Sequence, residues 1–331
     1  MKTYILRRLL LMAPTFIGIS LMTFCIIQFA PGSPVYMKLR TVEGALRTEG
    51  DTERIIQETK ALYGLDKPIP VQYLKWLGRL VRLDFGNCYY RDGSVGQAIA
   101  KALPVTLQFN VLEVLLIYLI AIPAGVFSAT HKRTWTDGIL TLILFLLYSL
   151  PSFWVAMLLI TFLGGGQWLY WFPSHGINSL GASEWPWGRW LADRAWHMVL
   201  PLFCMVYGGL AGLSRYMRTG MLDIIRQDYI RSARAFGFSE NVIVYKYAMR
   251  NSLIPIVTLL GGLLPALIGG SIIIEYIFSI PGMGQLAFEA VKDRDYPLLM
   301  GIFSITALLT LLGLLISDIM YALVDPRIKL E

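Results

Sequence analysis

Charge is what this sequence has least of. Of its 331 residues, 15% are Asp, Glu, Lys or Arg and 56% are hydrophobic. A water-soluble domain carries about 25% charged residues, so this chain lacks the polar surface that solubility requires. Cysteine is also scarce: Cys25, Cys88 and Cys204 are odd in number, two lie within apolar runs, and no Cys-x-x-Cys pair occurs. That excludes a disulfide framework and a thiolate metal cluster. The three histidines, His131, His175 and His197, fall in loops or at the ends of apolar runs, and no H-E-x-x-H occurs. Ser214 and the pair His175 and His197 lie towards opposite ends of one apolar run, which argues against a serine–histidine dyad. No G-x-x-x-x-G-K-[ST] loop is present to cradle nucleotide phosphates. Nor is there the alternation of a membrane barrel.

What is present is six long apolar runs, at 9–30, 105–129, 139–163, 198–217, 254–278 and 298–324. Each is about 20 residues or longer, enough to cross about 30 Å of hydrocarbon as a helix. Lipid offers backbone groups no hydrogen-bond partner, so the expected fold is all-α with six transmembrane helices. The first run follows Lys2, Arg7 and Arg8, as in a signal peptide, but it is too long for a signal core and Pro31 follows Ala30. It reads as an uncleaved span.

Orientation follows from the basic residues of the short loops. With the N-terminus inside, the cytoplasmic segments hold Lys2, Arg7, Arg8, Lys132, Arg133, seven Lys or Arg from Arg215 to Arg250, Arg327 and Lys329. The short external loops hold only Arg189, Arg194, Lys292 and Arg294, so both termini are expected in the cytoplasm. The same bias accounts for the formal charge of +7, which is spread over both faces and points to lipid rather than nucleic acid. The expected organisation is an N-terminal segment and first span (1–30), a large external loop (31–104), a membrane domain (105–324) with a cytoplasmic loop (218–253), and a short tail (325–331).

Within the runs the clearest ionisable residues are Glu113 and Asp318, with Glu275 near an outer end. A charged residue at the bilayer centre costs about 2.5–3.5 kcal/mol on insertion scales. Three carboxylates without an intramembrane Lys or Arg make a poor ion-coupled carrier, and Glu113 and Asp318 read as partners of neighbouring helices. The energy source is expected elsewhere.

The stretch DYIRSARAFGFSENVIVYKYAMRNSLIP, residues 228–255, is the basic, helix-prone exception between two apolar runs. Residues 228–236 suit one or two helical turns, Gly237 permits a reversal at positive φ, and Ser239 is a candidate N-cap for a second helix. Such a compact knob suits the groove of a cytoplasmic protein; a basic helix on anionic lipid is the alternative. The stretch resembles the cytoplasmic coupling loop of ABC importer permeases. Aligned on Gly237, the broad Glu-Ala-Ala positions fall on Arg231, Ser232 and Ala233. The resemblance is closer to the peptide-permease branch, through Tyr229-Ile230-Arg231-Ser232-Ala233-Arg234-Ala235-Phe236-Gly237 and Tyr247-Ala248-Met249-Arg250-Asn251-Ser252-Leu253-Ile254-Pro255, with Phe236 at a customary lysine.

Elsewhere ILRRLLLMAPTFIGIS, FAPGSP, FSIPGMGQLAFEAVKDRDYP and SDIMYALVDPRIKLE follow the family's order. LGGGQWLYWFP and VDPRIKLE resemble the oligopeptide and microcin C type of first permease. The resemblance implies a type I importer: this permease, a homologous second one, two ATPase subunits that bind ATP and Mg²⁺, and an external substrate-binding protein. No cofactor is expected on this chain and no catalysis by it. Residues Arg231, Ser232, Ala233, Arg234, Ala235, Phe236, Gly237, Phe238, Ser239 and Glu240 are the implied ATPase-coupling segment. A self-sufficient carrier or channel, or an importer of a non-peptide solute such as nickel or of a modified peptide, are the alternatives.

The run 254–278 carries Gly261, Gly262, Pro265, Gly269 and Gly270, which permit close helix approach and a kink. These, with Glu275, Pro281 and Gly282 at the outer end, are candidate pathway or gate residues. Glu275 reads either as a group meeting a peptide ammonium or as one bonded to backbone. In VQYLKWLGRLVRL (71–83), Val71, Leu74, Leu77, Leu80 and Val81 form an expected apolar face. Trp185, Trp187, Trp190 and Trp196 suit an interfacial belt.

Overall fold

The computed structural model describes residues 2–29, 57, 66–165, 168–263 and 266–324, all of its regular elements being helical. Helix α1 (Lys2–Phe29) is followed by α2 (Ile69–Leu80) and by α3 (Val95–Thr130). α3 starts ten residues before its apolar run. Ser94 accepts the Gln97 N–H while Gln97 returns a bond to the Ser94 N–H, a capping box that satisfies two donors outside the hydrocarbon. α4 (Trp135–Ser149) and α5 (Ser152–Leu159, continued by a π-helical turn, Ile160–Gly164) come next, then α6 (Trp187–Ile225) and α7 (Asp228–Ala235). A turn at Glu240–Val242 and a π-helical stretch, Ile243–Ala248, lead into α8 (Met249–Leu263). Short α9 (Ala266–Gly269) and α10 (Ile272–Ile277) precede α11 (Met283–Asp293) and α12 (Tyr296–Val324).

Four of these helices, α1, α3, α6 and α12, are long and apolar enough to cross a membrane by themselves. The run 139–163 is not straight: α4 and α5 meet at a 95° bend and count as a fifth span only together. Pro151 supplies the cause. It biases Leu150 to an extended conformation (φ −88°, ψ 128°), which ends α4. The run 254–278 is likewise divided among α8, α9 and α10, with Gly270 at φ +60° between the last two. Pro265 lies outside the described residues, as does the tail 325–331.

α3 is the spine. Its N-terminal end, at Val95 and Ile99, packs with Phe24 of α1, Trp76 of α2, Met283 of α11 and Leu298 of α12. Its middle, at Val105 and Phe109, meets Met198 and Tyr207 of α6 and Ile274 of α10. Its C-terminal end, at Ala121 and Val126, meets Met217 and Met221 of α6 together with Ile230, Ala233 and Ile243 of the basic stretch. Lipid tails are as apolar as these side chains, so close packing rather than water exclusion holds α3 to α6. Gly125 shows how close: a Cβ there would lie 2.6 Å from the Met217 Cβ and the Ser214 carbonyl oxygen.

Two polar links tie the helices at their ends. Arg8 of α1 pairs with Asp318 of α12 at 2.5 Å, so Asp318 is the neighbour's partner that its position suggested. Asp137 accepts from Ser128 of α3 and Arg218 of α6.

The apolar face of α2 is rotated from the expected one. Tyr73, Trp76 and Leu80 are buried, whereas Leu74 and Val81 are exposed. The Tyr73 ring packs at a tilt against Phe24 and its hydroxyl shares a 2.9 Å hydrogen bond with Ser20, so α1 selects the aromatic side of the helix. Among the tryptophans, Trp196 stacks on Phe172 and its N–H donates to the Trp171 carbonyl; Trp185 lies under Arg189.

Candidate functional site

Two groups of residues singled out by sequence come together, one against the C-terminal end of the spine and one on its N-terminal half. The first is the knob at 228–240. On α7, Ile230 and Ala233 lie one turn apart and are both buried, Ile230 completely. They pack with Ile243, Met217 and Met221, which fastens the knob to α6 and to the approach of α8. Asn251 adds a hydrogen bond to the Tyr229 hydroxyl at 2.9 Å.

α7 ends in a two-bond reversal. The Phe238 N–H reaches the Ala233 carbonyl (3.3 Å) and the Gly237 N–H reaches the Arg234 carbonyl (3.0 Å), with Gly237 at φ +80°. This Schellman arrangement satisfies carbonyls that the helix end leaves open, and it requires a left-handed residue at position 237. Across the reversal, Arg234 grips Glu240 with two bonds of 2.7 and 3.2 Å. The pair holds the Glu240 carboxyl below, and the Arg234 guanidinium above, their ordinary values, the mutual hydrogen bond being the main cause.

Ser239 occupies the expected N-cap place with extended dihedrals, but its hydroxyl makes no capping bond; its carbonyl instead takes the Ile243 N–H. Arg231, Ser232, Ala235, Phe236, Phe238 and Ser239 face outwards. Phe236 is 83% exposed at the tip, a large apolar ring held in the open by a rigid turn.

The second group surrounds Glu275. This residue of α10 is 2% exposed. Its Oε1 accepts from the Thr106 hydroxyl of α3 (3.0 Å) and its Oε2 from the Gln285 N–H (3.0 Å), with a further backbone bond from Gly284. The Thr106 oxygen in turn accepts the Met283 N–H at 2.7 Å. The first N–H groups of α11 are thus capped by two side chains from two other helices, and the carboxylate sits at the positive end of the α11 dipole. Of the two readings for Glu275, this is the backbone-bonded one.

Gly270 and Gly282 leave room for that carboxylate. A Cβ on either would lie 2.6 or 2.5 Å from its oxygens. Gly269 adjoins this group, Pro281 is exposed beside it, and Gly261 and Gly262 fall within α8, away in sequence from the cap. Thr106 escaped the sequence reading. It stands 169 residues from Glu275, and a threonine inside an apolar helix gives no local sign of a distant partner.

Glu113 is unlike Asp318. It lies midway along α3, partly exposed, on the wall of a cavity of about 530 Å³. Among the described residues no donor or cation pairs with it. No group of three or more His, Cys, Asp or Glu among the described residues is placed to hold a metal ion.

Comparison with known proteins agrees over most of the sequence. The model of the family described as "Binding-protein-dependent transport system inner membrane component" matches residues 121–330. The oligopeptide transport system permease protein AppB of Bacillus subtilis (strain 168) is 40% identical over 330 residues, covering 99% of this chain and all of the relative. The inner membrane ABC transporter permease protein YejB of Escherichia coli O157:H7 is 35% identical over the full length of both. The dipeptide transport system permease protein DppB of Bacillus subtilis is 31% identical over 332 residues, covering this whole chain and 99% of the relative. Among solved structures, an inward-facing form of the MetNI methionine ABC transporter matches with a TM-score of 0.53 at 16% identity, over 69% of this chain and 97% of that one, a likeness of fold. This chain therefore belongs to the binding-protein-dependent transport system inner membrane components, the permease family of ABC transporters, as a multi-pass protein of the cytoplasmic membrane with no catalytic role of its own.

Proposed function

We propose that this chain is one of two homologous permease subunits of a peptide importer, and that the knob at 228–240 is where an ATPase subunit grips it. Two ATPases bind ATP and Mg²⁺ on the cytoplasmic side, an external binding protein delivers the peptide, and lipid surrounds the spans. The names of the full-length relatives, which are oligopeptide and dipeptide permeases, support peptide as cargo. Six crossings with both termini inside are reached when α4 with α5, and α8 with α9 and α10, each serve as one span.

The observation that carries the coupling role is the two-sided build of the knob. Ile230, Ala233 and Ile243 bind its inner side to α6 and α8, while Phe236 stands in water on the outer side. A partner groove that takes Phe236 moves α6 and α8 as one body, because the Schellman turn and the Arg234–Glu240 pair leave little play between tip and base. Domain closure on ATP is thereby passed to the membrane as a rigid-body shift. At the other end, the α11 cap ties α3, α10 and α11 together and holds the outer mouth, with Gly269, Gly270, Pro281 and Gly282 shaping the turn. Gly261, Gly262 and Pro265 belong to the pathway-side span.

The test joins topology to energetics. A cysteine at position 236, in a background without native cysteines, should label from outside inverted membrane vesicles, whose outer surface is the cytoplasmic face, and not from outside intact cells. Peptide uptake should require ATP, both ATPases and the loaded binding protein. Labelling from outside, or uptake by this polypeptide alone in liposomes, refutes the reading.

A further inference from the structure

Two interruptions of helical backbone in the membrane part, the α4–α5 bend and the break before α10, open onto one cavity. It is bounded by Asn110 and Glu113 of α3, by the α4–α5 bend at Tyr148 and Leu150, by Tyr207 and Gly208 of α6, and by the Gly270–Ser271 break before α10. At about 530 Å³ it falls within the range of about 300–1,000 Å³ for small-ligand sites. Non-helical backbone at membrane depth is tolerated where protein buries it or where it lines a wet cavity, and interrupted helices are a common way of building a transport site.

The polar side chains around this cavity divide by task. The Tyr207 hydroxyl donates to the Leu150 carbonyl at the bend (2.8 Å), and the Asn110 amide donates to the Leu267 carbonyl at the break (2.6 Å). Each satisfies a carbonyl freed by interrupted helix. Glu113, one turn along α3 from Asn110, has no such duty. It is an acceptor with no freed N–H to answer and, among the described residues, no cation. A carboxylate at mid-helix depth is costly to retain without use. The use that fits its chemistry is a transient positive charge arriving through the cavity.

The geometry points to Glu113 as the residue that receives the N-terminal ammonium of a peptide in transit, in a cavity walled by Tyr148, Tyr207 and the glycines of α6 and the α10 break. The claim rests on the peptide-importer reading and adds a substrate group to a named side chain. The ammonium enters a region that would otherwise repel a bare cation, and the carboxylate gains the partner it lacks. Gly208 and Gly270 put backbone rather than side chains on the opposite wall, so residues of differing size pass while the α-amino group, common to all peptides, is held. Selectivity is then for the free amino terminus and not for sequence.

The experiment uses the assembled transporter in proteoliposomes, fed by loaded binding protein, with a free-amino tripeptide and its N-acetyl twin. Glu113→Gln should cut uptake of the free-amino tripeptide about tenfold, the loss expected for one charge-assisted hydrogen bond. Binding-protein-stimulated ATP hydrolysis and co-purification of the second permease should persist, and Glu113→Asp should restore most uptake. For the acetyl peptide the ratio of variant to wild-type uptake should stay near one. Unchanged uptake of the tripeptide by Glu113→Gln overturns the proposal, as does an equal loss for both peptides. A parallel fall in hydrolysis and uptake, or loss of the second permease, also overturns it, because Glu113 would then pair with that subunit. The hydrolysis and Asp readouts decide even when the binding protein refuses the acetyl peptide. Absence of any ATP-dependent peptide uptake by the wild type refutes the importer reading instead.

Discussion

Replacing Gly237 by alanine isolates the turn that shapes the knob. No heavy atom beyond its chain neighbours lies within 4 Å of the position a Cβ would take, so the substitution creates no collision. The whole cost is conformational, because Gly237 sits at φ +80°. An L-residue in left-handed backbone costs about 1–2 kcal/mol. If the knob must be formed before an ATPase engages it, that cost appears as weaker docking, at tenfold for each 1.4 kcal/mol. The expected loss is therefore at most about 5- to 30-fold for Gly237→Ala, and smaller for Gly237→Asn, since asparagine tolerates this region.

The assay is titration of the purified ATPase pair onto the permease complex in nanodiscs, with amide hydrogen exchange across 228–243 in the same samples. Exchange at Phe238 and Gly237 should rise in step with the docking loss, while exchange in α3 and α6 stays unchanged. Docking that is lost without faster exchange at the turn would assign the effect to the added methyl at the contact. Wild-type docking and wild-type exchange together would refute the conformational argument.

Other outcomes follow from the same geometry. Glu275→Ala strips acceptors from Thr106, Gly284 and Gln285 in a buried place, and each orphaned group costs about 1–3 kcal/mol, so thermal inactivation of the purified complex should begin several degrees lower. Gly284→Ala should be worse than its one carbon suggests, because the new Cβ would lie 2.8 Å from the Ile272 backbone, a collision that side-chain movement cannot relieve; protease resistance of the α10–α11 segment reports it. The Arg234–Glu240 pair should respond weakly to acid. The Glu240 carboxyl is held below its ordinary value by its bond to Arg234, so the support is full above that ordinary value and disappears as pH falls through the lowered one. Both groups are well exposed, so the contribution stays under about 1 kcal/mol. It should be visible as lower protection at 231–240 in acid, measured against the intrinsic exchange rate at each pH, and this pH dependence should be absent in Glu240→Gln.

The sequence by itself determined that this is a helical membrane protein, because the length of an apolar run is a local property that lipid reads directly. Gly237 was legible for a similar reason: a glycine inside a basic helical stretch marks left-handed backbone, and residue identity alone permits it. The ends of the basic helix followed from the same local rules. The 95° bend was not legible, since the run 139–163 reads as one span: Pro151 lies within it, but the angle depends on what packs on either side.

Tertiary structure alone decided the rest. Sequence periodicity allowed α2 an aliphatic face, yet Phe24 and Ser20 of α1 chose Tyr73 and Trp76 instead, because a hydroxyl and two rings offered more specific contacts than methyls. Thr106 and Glu275 became partners across 169 residues, and Ile230 became an anchor through Met217 and Met221. The idle position of Glu113 emerged only when two breaks in the backbone had claimed Tyr207 and Asn110. Burial and pairing are properties of the surroundings a fold assembles, and no stretch of chain carries its distant surroundings with it.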